Sequence, residues 1–307
     1  MLYTAILEET EVSGGGLEAG DAASAGRRRR LGLLLRALYG EFSATLIFFS
    51  CVYGALAKCY IDKFDLFQSG LIVSFTAAFV AIAMIFCYSD VSGAHFNSAI
   101  SFALWLTGKL SNRKLILYWT MQLSASLLAI LFVHLTFDSH GELLRALAVT
   151  TPADADRWRI FNTEFVTTFF LAFTVFHIAF EEETDRRNDA TSVKHEAEGL
   201  TVYTTAPQSK GAFVPFVFGF LLFGLLNWGG ASGAAMNPLR LLAPAICSGE
   251  WAGVWIYLLG QLSGAATGGA VVHWVEKMHH LGNLGLGGTV GGTVGEVGGK
   301  VRCVQPT

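Results

Sequence analysis

The 307-residue chain is short of charge: 45 of its side chains are Asp, Glu, Lys or Arg, which is 15%, against roughly 25% in a soluble globular domain. That scarcity excludes an ordinary water-facing surface. A basic excess is also missing, since the net charge is −3 and the basic residues cluster only at Arg27–Arg30. Neutralising phosphates needs a clustered basic surface, so nucleic-acid partners are set aside. Cysteines are few and odd in number (Cys51, Cys59, Cys87, Cys247, Cys303), with no CxxC spacing. Neither a disulfide framework nor a metal site is read from them, and no cofactor is expected. Met1–Gly26 has no basic n-region followed by an apolar h-region, so the N-terminus is expected to be retained and the first apolar span to direct insertion. No Ser/His/Asp or paired-carboxylate constellation gathers in a compact segment, which ranks an enzyme last among the functional classes.

Apolar residues are what the chain has, 52% of it with 34 glycines in addition, and lipid is the expected solvent. A hydrocarbon core of about 30 Å requires about 20 apolar residues in a helix. Six stretches meet that: Leu31–Leu56, Ser69–Tyr88, Leu115–Phe137, Ile160–Phe180, Ala212–Trp228 and Trp251–Val275. Two runs of half that length, Asn97–Thr107 and Asn237–Cys247, read as half-spans that enter and return. The expected fold is all-α, with six transmembrane helices and two re-entrant half-helices. Lys and Arg number fifteen in the connections on the side of the termini and five on the other, which places both termini in the cytoplasm. Residues 1–30 are expected to be a disordered tail and 31–275 the membrane domain. Within it, repeat one covers about 31–137 and repeat two about 160–275, with an acidic linker at 181–210. Residues 276–307 form a Gly-rich tail.

The two halves resemble each other. Glu41-Phe-Ser-Ala-Thr45 matches Glu164-Phe-Val-Thr-Thr168, and Ser92-Gly-Ala-His-Phe-Asn97 matches Ser232-Gly-Ala-Ala-Met-Asn237. Three full spans per half invert the second half relative to the first, so the half-spans should meet near the midplane. Asn97 and Asn237 sit where N-caps belong, and Pro238 takes a first-turn position that tolerates a missing N–H. Two capping amides and two helix N-termini converging on one point would accept lone pairs and repel cations. Arg240 falls in the first turn of a helix, where the dipole disfavours a cation. It reads as a pore-lining donor rather than a side chain that snorkels or pairs with Glu250. Glu41 and Glu164 are expected to accept hydrogen bonds from the non-helical backbone that leads into the half-helices, which lipid cannot satisfy. Gly260, Gly264 and Gly268 give small-xxx-small spacing and predict a close helix contact.

With these residues in view, the sequence resembles the aquaporin and aquaglyceroporin (major intrinsic protein) family over about Leu31 to Val275. SGAHFNSA resembles the first Asn-Pro-Ala box of the family and SGAAMNPLR the second, with its arginine. Ser98 replaces the usual Pro and Leu239 the usual Ala, whereas Ala99 and Pro238 fit the pattern. The resemblance implies a homotetramer in membrane lipid with one pore per subunit. It also implies a constriction built from Arg240, Ala234, Ala77 and Leu225, with His95 at the cytoplasmic vestibule. Phe75 or Phe79 takes the place of Ala77 if the second helix is rotated. Ala77 and Leu225 replace an aromatic and a histidine usual in strict water channels, which implies a wider filter. Leu241 lacks the Asp typical of glycerol facilitators, Tyr257 resembles water channels and Leu258 glycerol channels. The expected function is a passive channel for water and small neutral solutes such as glycerol or urea that excludes ions and protons, in the plasma membrane or an organelle membrane. A secondary transporter is the alternative, since inverted repeats build those sites too.

Overall fold

The structure, a computed structural model, describes residues 18–137, 142–149, 151, 154–191 and 207–286. Among them the elements are helices only: α1 (Glu18–Ile61), α2 (Leu66–Ser92), α3 (Ser98–Leu106), α4 (Asn112–Phe137), α5 (Glu142–Leu147), α6 (Arg157–Thr191), α7 (Pro207–Asn227), α8 (Leu239–Ser248) and α9 (Val254–Leu286). Four of these contain spans long and apolar enough to cross a bilayer on composition alone, Gly26–Ile61, Leu66–Ser92, Asn112–Phe137 and Arg157–Ile178. Of the other long helices, α7 has its described apolar stretch at Phe213–Asn227, which is shorter than a full span, and α9 is diluted by Gln261 with its Gly- and Ser-rich face. The half-spans become α3 and α8, of 9 and 10 residues, about 15 Å each at 1.5 Å per residue and so half a hydrocarbon core.

Local chemistry sets the ends. Asp65 and Gln68 form a capping box, each side chain bonding the other's backbone N–H, so α2 begins ahead of the expected Ser69. Gly93 closes the same helix at φ 93°, a left-handed conformation natural to glycine. Helices run past three of the expected boundaries. The tail assigned to 1–30 is already helical from Glu18, because the Ala-, Arg- and Leu-rich sequence favours helix and propagates from an anchored span. The linker 181–210 is helical at both ends, as α6 continues to Thr191 and α7 starts at Pro207. The tail from 276 is helical to Leu286, continuing a helix whose Glu276 is held by Lys109 at 2.9 Å. Residues 1–17, 192–206 and 287–307 lie outside the described residues.

The molecule reverses the usual distribution of side chains. Glu41, Glu164, Gln122 and Gln261 have no exposed surface, while Phe79, Phe220 and Trp274 are exposed by 60% or more. Lipid accounts for the outside, and hydrogen bonding has to account for the inside. Small residues bring the inner helices together. A Cβ at Gly264 would collide with the Phe165 carbonyl oxygen, and one at Gly260 or Gly268 would lie 2.8 Å from Phe161 O or 2.6 Å from Phe169 O. The α9 glycines therefore press against the α6 backbone, as their spacing predicts.

Candidate functional site

The two loops that enter the half-helices are built alike. In each, an unusual backbone is held by a buried carboxylate: Gly93, Ala94 and Phe96 have φ of 93°, 49° and 30°, and Gly233, Ala234 and Met236 have 77°, 49° and 51°. Left-handed non-glycine residues are uncommon and persist only where surroundings over-determine them. Glu41 supplies that constraint by accepting from Ser92 Oγ (2.7 Å), His95 N and Phe96 N (2.9 Å each) and Gln122 Nε2 (2.7 Å). Glu164 does the same for Ser232 Oγ (2.5 Å), Ala235 N (2.9 Å), Met236 N (3.0 Å) and Gln261 Nε2 (2.8 Å). Each carboxylate thus has four donors on two oxygens, the full acceptor capacity of the group.

Turning the loops this way directs the Phe96 and Met236 carbonyls toward the opposite half. Asn97 Nδ2 donates to Met236 O and Asn237 Nδ2 to Phe96 O, both at 3.0 Å. The amide oxygens look back into their own helices: Asn97 Oδ1 accepts from Ala99 N at 2.9 Å and Asn237 Oδ1 from Leu239 N at 3.2 Å. Both asparagines thereby cap a half-helix and clasp the other loop. Pro238 lies in helical conformation (φ −50°, ψ −31°) between cap and helix, where its absent N–H costs nothing. Ser98 opens α3, and its carbonyl accepts from Trp119 Nε1 at 3.0 Å. Leu239 is buried in the core and its carbonyl accepts from Tyr53 Oη at 3.1 Å.

Ala77, Leu225 and Ala234 lie in one buried cluster with Phe96, Met236 and Leu239. Ala77 is 3% exposed, whereas Phe75 and Phe79 are 46% and 60% exposed and stack on one another away from it, 5.7 Å apart. The helix is therefore not rotated toward the phenylalanines. His95 is buried, with Nδ1 3.0 Å from Ser101 Oγ and its ring edge-on to Tyr118 at 5.2 Å. Arg240 is half-buried. Among the described residues it forms no ion pair with Glu250, which lies 3.8 Å from Arg145. Instead Arg240 Nη1 donates to Leu147 O at 2.7 Å, and its Cζ lies 5.7 Å from the centre of the Tyr53 ring.

Three contributors escape the sequence reading. Gln122 and Gln261 are isolated amides within apolar spans, 25 and 24 residues after the paired asparagines, and that near-equal offset is the signal that finds them. α5 is a single turn and a half between spans. Its last carbonyls lack helical partners, which makes Leu147 O available to the guanidinium.

The sequence profile of the family described as Major intrinsic protein matches residues 29–273. The chain belongs to that family. It is 32% identical to Aquaporin-B of Dictyostelium discoideum over 252 residues, covering 80% of this chain and 85% of the relative. An aquaporin of Encephalitozoon hellem is 34% identical over 244 residues (76% and 92%), and the probable aquaporin TIP3-2 of Oryza sativa subsp. japonica 33% over 245 (78% and 81%). Among solved structures, the aquaglyceroporin from Plasmodium falciparum superposes with a TM-score of 0.61 at 18% identity, over 82% of this chain and 99% of that one. At that identity the likeness speaks for the fold: six membrane-spanning helices and two half-helices in an inverted repeat. As a family member the chain is a membrane channel and not an enzyme.

Proposed function

We propose that the protein conducts water and small neutral solutes such as glycerol or urea down their gradients, while excluding ions and protons. The observation that carries this is the reciprocal clasp of Asn97 and Asn237. One N–H of each amide is committed to the opposite loop, and we assign the second to the permeant. Two helix N-termini meeting there present partial positive charge, which suits a lone pair and opposes a cation. Arg240 adds a fixed charge at the constriction, where Ala77, Ala234 and Leu225 contribute no polar atom and two of the three are small. Glu41 and Glu164, with every acceptor position occupied, leave no carboxylate for a coupling ion, which favours passive conduction over coupled transport.

The same reading places both termini in the cytoplasm, His95 at the cytoplasmic vestibule, and four copies together in the plasma membrane or an organelle membrane. The test is stopped-flow light scattering on proteoliposomes, following re-swelling under inward glycerol and urea gradients for the native chain and Arg240→Ala. Re-swelling above that of empty vesicles in the native chain, faster still in the variant, is the expected result. Native re-swelling equal to empty vesicles would reduce the permeant set to water.

A further inference from the structure

We propose that Tyr53 of α1 is a positioning residue for the constriction: it fixes the Arg240 guanidinium and so helps decide which solutes pass. This rests on Arg240 being the filter arginine. Tyr53 has no exposed surface, and it touches two successive residues of the first turn of α8. Its hydroxyl donates to the Leu239 carbonyl at 3.1 Å, and its ring lies 5.7 Å from the Arg240 Cζ. The first contact keeps the ring from slipping along α8. The second sets the electron-rich ring against a half-buried guanidinium, where such an interaction is stronger than at a fully exposed site.

The ring is itself immobilised. Tyr53 stacks on Phe49 at 5.1 Å and 26°, Phe49 meets Phe48 edge-on at 5.3 Å, and Phe48 lies 5.1 Å from Phe96. An aromatic column thus runs from the loop ahead of α3 to the arginine of α8, joining the two halves on the α1 side. Arg240 needs such backing, because a cation in the first turn of a helix is opposed by the dipole and, among the described residues, Leu147 O accepts from one of its five donors. A guanidinium held on one edge alone can swing about that bond. With the Tyr53 ring in place it is restricted to one orientation, and the free width of the constriction is restricted with it.

The test uses full-length protein in proteoliposomes and reads two quantities: the ratio of glycerol to water permeability and the proton leak per unit of water permeability. Both are independent of how much protein is active, so partial misfolding does not imitate the effect. Tyr53→Phe keeps the ring and should stay within about twofold of the native ratio. Tyr53→Leu loses the ring and should raise ratio and leak by about fivefold, the size of a partly buried cation–π contact. It should add nothing in an Arg240→Ala background, because the residue it positions is gone. Should Tyr53→Leu not fold, Tyr53→Met fills the space without a π face and carries the same comparison. A native ratio in Tyr53→Leu or Tyr53→Met, alongside an altered ratio in Arg240→Ala, overturns the role of Tyr53 and leaves the filter standing. An unaltered ratio in Arg240→Ala overturns the filter assignment and this inference together.

Discussion

Glu41 and Glu164 hold the two loops that enter the half-helices. They were legible as acceptors for loop backbone because an acid deep in an apolar span has few other uses, and each proves to hold two backbone N–H groups of its loop. Their partners Gln122 and Gln261 were less legible, because a lone amide in a span has no neighbour in sequence to explain it. Glu164→Ala strands four donors, of which Met236 N and Gln261 Nε2 are buried, at about 1–3 kcal/mol for each buried one, a large share of the net stability of a typical protein. No monodisperse protein should survive size-exclusion chromatography in detergent. A native elution profile and melting temperature would refute the assignment. Ser98 offers a test of opposite sign. Its hydroxyl is buried without a hydrogen-bond partner among the described residues, it opens a helix, and Asn97 before it is extended (φ −144°, ψ 117°) as a residue preceding proline must be. Ser98→Pro should stabilise by about 0.5–1 kcal/mol, seen as a rise of a few degrees in thermal melting in detergent. A fall would show that the hydroxyl has a partner that proline removes.

Spans and half-spans followed from apolar run lengths, but helix ends did not, because caps and long-range contacts fix them rather than hydropathy. The capping box at Asp65 and the Lys109–Glu276 pair are such cases. α5 was invisible, since six residues between spans carry no period long enough to read, yet it holds the acceptor of Arg240. The glycine stripe of α9 was legible by spacing alone. Gly264→Leu forces a side chain into the Phe165 carbonyl and should cost more than the about 1–3 kcal/mol of ordinary overpacking, whereas at Gly54 of α1 a Cβ meets nothing within 4 Å, so Gly54→Ala should be neutral or slightly stabilising. Comparing their melting temperatures checks this. Equal melting would mean that α6 and α9 do not approach as closely as the glycines allow.

At the scale of the whole molecule, inversion of the two halves follows from three spans per half, and the paired loops show what it accomplishes: each half supplies the carbonyl that the other half's asparagine requires. Family membership was legible from two six-residue frames despite Ser98 and Leu239, because the asparagines and Arg240 that define the geometry are kept. Oligomeric state was not legible in the same way, since the large exposed phenylalanines of α2 and α7 face lipid and a second copy equally well. Passive conduction is read out by osmotic shrinkage of proteoliposomes under an impermeant osmolyte, recorded over a range of temperatures with and without Na⁺ and proton gradients. Shrinkage far faster than in empty vesicles, weakly dependent on temperature and indifferent to the gradients, is the predicted result. Shrinkage no faster than in empty vesicles, or acceleration that vanishes when the gradients are collapsed, would contradict it.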